Sequence, residues 1–105
     1  MSQSSQNGFR IDPSTFDECD IPDYMRGAIV RYYENGIPPG SFLQSVIDND
    51  LREACGRADS TNRHALFNYV NWFYNHAPSG TWGYQGATAK YIEAFRRACQ
   101  QGEKV

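Results

Sequence analysis

Residues 64–84, HALFNYVNWFYNHAPSGTWGY, hold seven of the chain's fifteen aromatic residues. Apolar residues recur every three or four positions along this stretch until Pro78, which cannot continue a helix, so the pattern predicts a helix over residues 61–77. Such a helix carries more apolar surface than one buried stripe needs. The stretch therefore predicts a helical fold together with a surface that meets a partner. The predicted buried stripe consists of Leu66, Tyr69, Val70, Phe73 and Ala77.

Three further helices are predicted around this one. Residues 21–35 place apolar residues in pairs four apart and end at an Asn-Gly pair, which favours a helix end. Residues 39–58 follow a proline pair and carry a second apolar face, either as one straight helix or bent near residues 49 and 50. Residues 85–101 carry a third apolar face. Since no stretch alternates apolar and polar residues as a strand does, we expect an all-α fold, either a small four-helix bundle or an orthogonal helical array.

The beginning of the chain differs in composition from the remainder. Residues 1–19 are polar and then acidic, which predicts a flexible, irregular N-terminal arm. Residues 20–105 are expected to form a single helical domain, because a chain of 105 residues suffices for one modest core. Neither a secretory signal nor an apolar run of membrane-spanning length is present, so we expect no membrane contact.

Several classes of function are disfavoured by the composition. Ten basic residues face twelve acidic ones, a balance that argues against binding duplex nucleic acid. The two histidines and three cysteines lack the spacing of metal ligands, and the phosphate-loop and nucleophile-elbow motifs are absent. We therefore expect no enzyme, no cofactor and no metal. Cys55 and Cys99 are expected to be small apolar residues on helix faces, which is typical of a reducing cytoplasm.

Four uncharged polar residues form a row along one side of the predicted third helix. They are spaced by four, three and four positions, which returns to the same helix face. Asparagine is a poor helix former and costs about 0.5 kcal/mol relative to alanine, so three of them within a few turns suggest a binding role. The alternative is an ordinary solvated face. The row consists of His64, Asn68, Asn71 and Asn75.

Aromatic residues outside the predicted buried stripe form a second candidate site. Trp72 lies off that stripe together with Phe67 and Tyr74, and Trp82 lies in the loop that follows. Aromatic side chains are enriched at protein interfaces, so we expect Trp72 and Trp82 to supply contact area to a partner or to a second copy. The alternative is that the fourth helix and the loop cover these rings completely.

A third candidate set is formed by arginines in residues 24–105, where basic residues slightly outnumber acidic ones. Arg26, Arg31 and Arg63 occur with several tyrosines, and guanidinium groups grip phosphate while aromatic rings stack on bases. These arginines are therefore candidate contacts for a small nucleotide. The alternative is that they form surface ion pairs with neighbouring carboxylates.

A further pattern extends over residues 21–83, more than half of the chain. It comprises Arg26, residues 28–32, Gly36 to Gly40, Phe42-Leu43, residues 49–51, Ala58-Asp59, Asn62, residues 74–78 and Trp82-Gly83. In this pattern the chain resembles a family of short bacteriophage and prophage proteins that has no settled activity. Small phage proteins without catalysis commonly act by occupying a host molecule, so the resemblance implies a binding role in the host cytoplasm.

These patterns lead to one expected function and one alternative. We expect a phage-encoded, non-enzymatic binding protein, assembled as a homo-oligomer, that counters host defence or modulates a host process. Its partner would be a host protein or a small nucleotide signal that it sequesters. The alternative is a structural or accessory virion protein that self-associates through its aromatic helix.

Overall fold

The computed structural model describes the backbone of residues 9–104 and the side chains of residues 9–99. Over these residues the chain forms helices joined by short connections, without a strand. The expected all-α helical array is therefore confirmed. The described helices are α1 (Ser14–Glu18), α2 (Asp23–Asn35), α3 (Ser41–Ile47), α4 (Leu51–Arg57), α5 (Ser60–His64), α6 (Leu66–His76) and α7 (Ala87–Lys104).

Two of the four predicted helices are each divided into two. The predicted helix over residues 39–58 is broken between α3 and α4, where Asn49 adopts a left-handed φ of 61°. The Asp50 side chain then accepts a hydrogen bond from the Glu53 backbone N–H and begins α4 as its N-cap. The predicted helix over residues 61–77 is interrupted at Ala65, which separates α5 from α6. The array therefore contains shorter helices and more corners than predicted.

The second half of the predicted arm is part of the folded domain. Residues 1–8 lie outside the described residues, but α1 follows them and its Phe16 is buried. The Phe16 ring stacks on the indole of Trp72, with ring centroids 5.1 Å apart. The prediction of an irregular arm is therefore wrong for α1. The reason is that one large aromatic side chain, fully covered, offsets the entropy lost in ordering a short segment.

Aromatic side chains from α2, α6 and α7 form the centre of the core. The Tyr33 ring of α2 lies 6.4 Å from Phe73 of α6 and 5.3 Å from Tyr91 of α7, measured between centroids. Both tyrosines place their hydroxyls on polar partners: Tyr33 lies 3.0 Å from the Thr81 hydroxyl, and Tyr91 donates to the Tyr33 carbonyl. These two buried hydroxyls are therefore satisfied, whereas the buried hydroxyl of Tyr32, also in α2, makes no hydrogen bond to the described residues.

The loop between α6 and α7 is held against α3. The Gly83 N–H donates to the Ile47 carbonyl at 2.7 Å, and the Thr88 N–H donates to the Asp48 carboxylate at 2.8 Å. These bonds hold Trp82 beside α6, where its ring lies 5.6 Å from that of Phe73. No helix in the described part of the chain combines the length and apolar composition that crossing a bilayer requires.

The cysteines are distributed differently from the prediction. Cys55, expected to be a core thiol, is exposed, and Cys99 is half-buried. Cys19 is the buried thiol, because it directly follows α1 and is covered with it. The prediction for Cys55 is wrong because the chain breaks after α3 and begins a new helix at Leu51, of which only Ala54 is buried.

Candidate functional site

One side of α6 exposes large apolar side chains. Phe67 and Tyr74 are 74% and 78% exposed, and Val70, which lies between them, is also exposed. Positions separated by three and seven residues return to the same helix face, so these three side chains form one ridge. With a rise of about 1.5 Å per residue, the two aromatic residues lie about 10 Å apart along the helix axis.

Side chains from neighbouring elements extend this ridge on one flank. Leu51, the first residue of α4, is 64% exposed and lines a cleft with Val70 and Trp82. Val70, Tyr74 and Trp82 also line a wider groove along the same flank. We refer to the surface formed by Leu51, Phe67, Val70, Tyr74 and Trp82 as the α6 surface.

The opposite side of α6 is packed into the core, and it includes one residue that was predicted to contact a partner. Trp72 is 0% exposed. The prediction that it supplies contact area is therefore wrong. The buried side of α6 is centred on Tyr69, Trp72 and Phe73, not on the stripe that includes Val70. The rotation has a physical cause: α1, assigned to an irregular arm from the sequence, covers the Trp72 side of the helix.

Of the predicted polar row, Asn71 and Asn75 are hydrogen-bonded to each other. The Asn75 amide nitrogen donates to the Asn71 side-chain oxygen at 2.7 Å and to its carbonyl at 2.9 Å. The Asn71 amide nitrogen lies 3.6 Å from the Cys19 sulfur, which places this pair on the flank towards α1. Asn68 is half-buried on the same helix. His64 belongs to α5, and its Nδ1 lies 2.8 Å from the Ser60 carbonyl, so it is engaged locally.

The three predicted phosphate contacts are not gathered into one site. Arg26 lies 2.7 Å from the Asp17 carboxylate and also donates to the Ile21 carbonyl at 2.7 Å, so it holds α1 against α2. Arg31 is exposed five residues further along α2, which places it about 140° around the helix from Arg26. Arg63 is exposed on α5. The prediction that Arg26 grips phosphate is therefore wrong, because its guanidinium already binds carboxylate and carbonyl oxygens.

Cys19 and His76 are engaged within the fold, whereas the Cys55 thiol is exposed. Burial raises the pKa of the Cys19 thiol, and the Glu18 and Asp20 carboxylates act in the same direction, so the thiol remains protonated at neutral pH. His76 Nε2 lies 3.2 Å from the Glu18 carboxylate and thereby joins α6 to α1. Among the described side chains, no three that could ligate a metal lie together.

Sequence reasoning identified some of this surface and missed the remainder. Phe67 and Tyr74 were recognised as lying off the buried stripe, and Trp82 was predicted as a contact. Leu51 was missed because it continues an apolar pattern that, in a straight helix, faces the core. The signal that could have found it is Asp50, a residue that favours helix N-caps and so predicts a new helix at residue 51.

Comparisons with models of known families, with curated proteins and with solved structures found no match to this chain. The resemblance to short phage proteins consequently stays a prediction.

Proposed function

We propose that this chain is a non-catalytic binding protein that docks on a partner protein through the α6 surface. The observation that carries the proposal is the exposure of Phe67 and Tyr74. About three quarters of each side chain is exposed, although the opposite side of the same helix is packed into the core. A large aromatic side chain covers 150–250 Å² when buried, so these two alone offer roughly 300 Å². Exposed apolar patches of a few hundred Å² are often functional on soluble proteins.

The arrangement of the ridge defines the chemistry of the partner. Anchors at positions i, i+3 and i+7 are those by which a helix binds into an apolar groove. Residues 66–77 contain no aspartate, glutamate, lysine or arginine, and the amides of Asn71 and Asn75 flank the ridge. The partner therefore presents an apolar groove about 10 Å long, wide enough for two rings, with uncharged hydrogen-bonding groups on its rim.

A protein partner agrees with the structure better than a small nucleotide does. Phosphate recognition requires several cations directed at one point. Arg26 is instead paired with Asp17 and Asp23 and faces away from Arg31. The α6 surface itself contains no cationic side chain. These observations favour apolar docking over sequestration of a nucleotide.

The absence of catalysis is part of the same proposal. It is supported by the positions of the reactive side chains: Cys19 is buried and protonated, His64 contacts a backbone carbonyl, and His76 contacts Glu18. Each of these groups stabilises the fold locally. With these three groups engaged inside the fold, the mode of action that we propose is occupation of the partner.

The biological setting of the proposal rests on the resemblance to phage proteins. We propose that the partner is a host protein in the host cytoplasm, and that docking blocks a defence function or modulates another host process. A protein that acts by occupation needs a preformed surface and no cofactor. The α6 surface, held by the core on one side and by the fixed Trp82 loop on its flank, satisfies that requirement.

Site-specific cross-linking tests this proposal. A photoreactive phenylalanine analogue replaces Phe67 or Tyr74, and the matched control carries it at Ala89, an exposed position on α7. Irradiation in bacterial host cells is expected to trap one host protein from both α6 positions and not from residue 89. An excess of wild-type chain should compete, whereas the Phe67→Ser/Tyr74→Ser double variant should not. Equal trapping from residue 89, or none from α6, would show that the surface has no such partner.

A second candidate function is favoured by the groove beside the ridge. Tyr74 belongs to the ridge and also lines the groove with Trp82, so two copies related by a two-fold axis can each insert a ridge into the other's groove. This is the geometry expected of a self-associating structural or accessory virion protein. Sedimentation equilibrium distinguishes the two functions. A wild-type dimer that becomes a monomer in the double variant favours self-association, and a wild-type monomer excludes it.

A further inference from the structure

A second concave surface, separate from the α6 surface, lies between the segment that begins at Phe9 and the first turns of α7. It encloses about 300 Å³, which is the lower end of the size range of small-molecule sites. Its described walls are predominantly aromatic. The lining side chains include Phe9, Tyr84, Lys90, Tyr91, Ala94 and Phe95.

The aromatic walls are held in place by the backbone. The Phe9 N–H donates to the Tyr33 carbonyl at 3.1 Å, and the Tyr91 hydroxyl donates to the same carbonyl. The Phe9 and Tyr91 rings stack with centroids 6.2 Å apart and planes at 27°, while Phe95 lies 6.3 Å beyond Tyr91. A preformed set of ring faces binds a planar apolar molecule without the entropic cost of ordering its own side chains.

Among the described residues that line the cavity, Lys90 is the charged one. Lys90 Nζ lies 5.8 Å from the centroid of the Tyr84 ring, and within the described residues this ammonium makes no ion pair. Burial raises the pKa of Tyr91 to about 12, so that hydroxyl stays neutral and does not repel an anion. The Thr81 hydroxyl is already used, since it donates to the Pro78 carbonyl at 2.7 Å and lies 3.0 Å from the Tyr33 hydroxyl.

We propose that this cavity binds a small planar aromatic monoanion, such as an aromatic carboxylate, with its ring against the aromatic walls and its carboxylate at Lys90. One ammonium group complements one negative charge, whereas a phosphate ester would bring nearly two. Lys90 is exposed and lines the cavity beside the Tyr84 ring, so a ligand ring against the aromatic walls can place its carboxylate at this ammonium. This site neither includes nor requires any residue of the α6 surface.

Titration calorimetry with 2-naphthoate tests the proposal, and 2-naphthalenemethanol serves as the uncharged probe of the same shape. The full chain is expected to bind 2-naphthoate about tenfold more tightly than the alcohol, which corresponds to about 1.4 kcal/mol. Lys90→Gln should remove that difference, because it removes the charge, and Lys90→Arg should preserve it. Equal binding of the two probes by the wild-type chain would overturn the proposal.

Filling the cavity provides a second, independent arm of the test. Ala94 is exposed and lines the cavity, so Ala94→Phe should fill it without disturbing the core and should abolish naphthoate binding. Ala89→Phe is the matched control, because residue 89 lies about half a turn around α7 from the lining residues. Both variants should unfold at the wild-type temperature. Undiminished binding by Ala94→Phe, or equal loss in Ala89→Phe, would show that the probe binds elsewhere.

Discussion

The Phe16 ring in α1 stacks on the Trp72 indole in α6, with centroids 5.1 Å apart and ring planes inclined by 24°. The neighbouring Thr15 hydroxyl accepts the indole N–H at 2.9 Å. Two adjacent residues of α1 thus cover the apolar ring of Trp72 and satisfy its polar group. This contact makes α1 part of the core and leaves the opposite side of α6 as the exposed one.

Removal of the Phe16 ring should destabilise the whole domain. Phe16→Ala is expected to lower the free energy of unfolding by about 3 to 5 kcal/mol, because it leaves a cavity against Trp72. Urea unfolding followed by tryptophan fluorescence measures this change. Ser14→Ala, in the exposed side of the same helix, is the control and should change stability by less than about 0.5 kcal/mol. A loss below about 1 kcal/mol for Phe16→Ala would mean that α1 does not belong to the core.

Two glycines should respond to alanine with opposite signs. Gly36 ends α2 with a φ of 69°, and a Cβ there would lie 2.5 Å from a ring carbon of Phe95. We expect Gly36→Ala to lower the free energy of unfolding by roughly 2 kcal/mol, through backbone strain and displacement of that ring. Gly56 lies within α4 and has open space around its Cβ position, so Gly56→Ala should raise stability by roughly 0.5 kcal/mol. Thermal unfolding of both variants gives the comparison, and changes of equal sign would contradict it.

The contact between Tyr24 and Asp59 should make stability depend on acidic pH. The Tyr24 hydroxyl donates to the Asp59 carboxylate at 2.6 Å, and this bond, followed by the Asn62 backbone N–H, lowers the pKa of Asp59 from its ordinary value of 3.8. Because the folded-state pKa is depressed, the stabilisation is present above the unfolded-state pKa and is lost as pH falls through the folded-state pKa. Tyr24→Phe removes the largest cause.

Urea unfolding between about pH 5 and about pH 2 tests this dependence. The wild-type chain should lose more stability over this interval than Tyr24→Phe does, and the two curves should converge at the acidic end. Parallel curves would show that the hydrogen bond is not linked to the titration of Asp59. Tyr84→Phe, whose hydroxyl lies 3.3 Å from a carbonyl and not from a carboxylate, is the control and should follow the wild-type slope.

Substitutions on the two sides of α6 should separate binding from folding. Phe67→Ser and Tyr74→Ser are each expected to change the free energy of unfolding by less than about 0.5 kcal/mol, because both side chains are largely exposed. Trp72→Ser, in the same helix, should lower it by about 3 to 5 kcal/mol. Chemical denaturation of the three variants measures the difference. If Phe67→Ser or Tyr74→Ser destabilises as much as Trp72→Ser does, the α6 surface is a packed face.

Local signals in the sequence predicted several elements correctly. The apolar spacing and the Asn-Gly pair predicted α2, whose observed end at Asn35 and left-handed Gly36 agree with that pattern. The prediction of one helix over residues 39–58 allowed a bend near residues 49 and 50, and the chain breaks there. These features depend on residues close together in sequence, which is why they were accessible to pattern reasoning.

The division of α6 into buried and exposed sides was predicted only in part. Phe67 and Tyr74 were recognised as surplus to the core, whereas Trp72 was grouped with them although it is buried. On a helix with aromatic residues all around, hydrophobicity does not distinguish the sides. The distinction depends on where α1 packs. The polar and acidic composition of residues 1–19 does not indicate that packing.

The sequence by itself determined that this chain is helical, where its strongest helix stops lie, and that it carries more aromatic surface than a small core needs. The tertiary structure alone decided which aromatic residues remain outside: α1 covers Trp72, the Trp82 loop flanks Val70, and Phe67 and Tyr74 stay largely exposed. The physical reason is that periodicity and capping act within a few residues of the chain, whereas burial depends on contacts between residues far apart in sequence, such as Phe16 and Trp72.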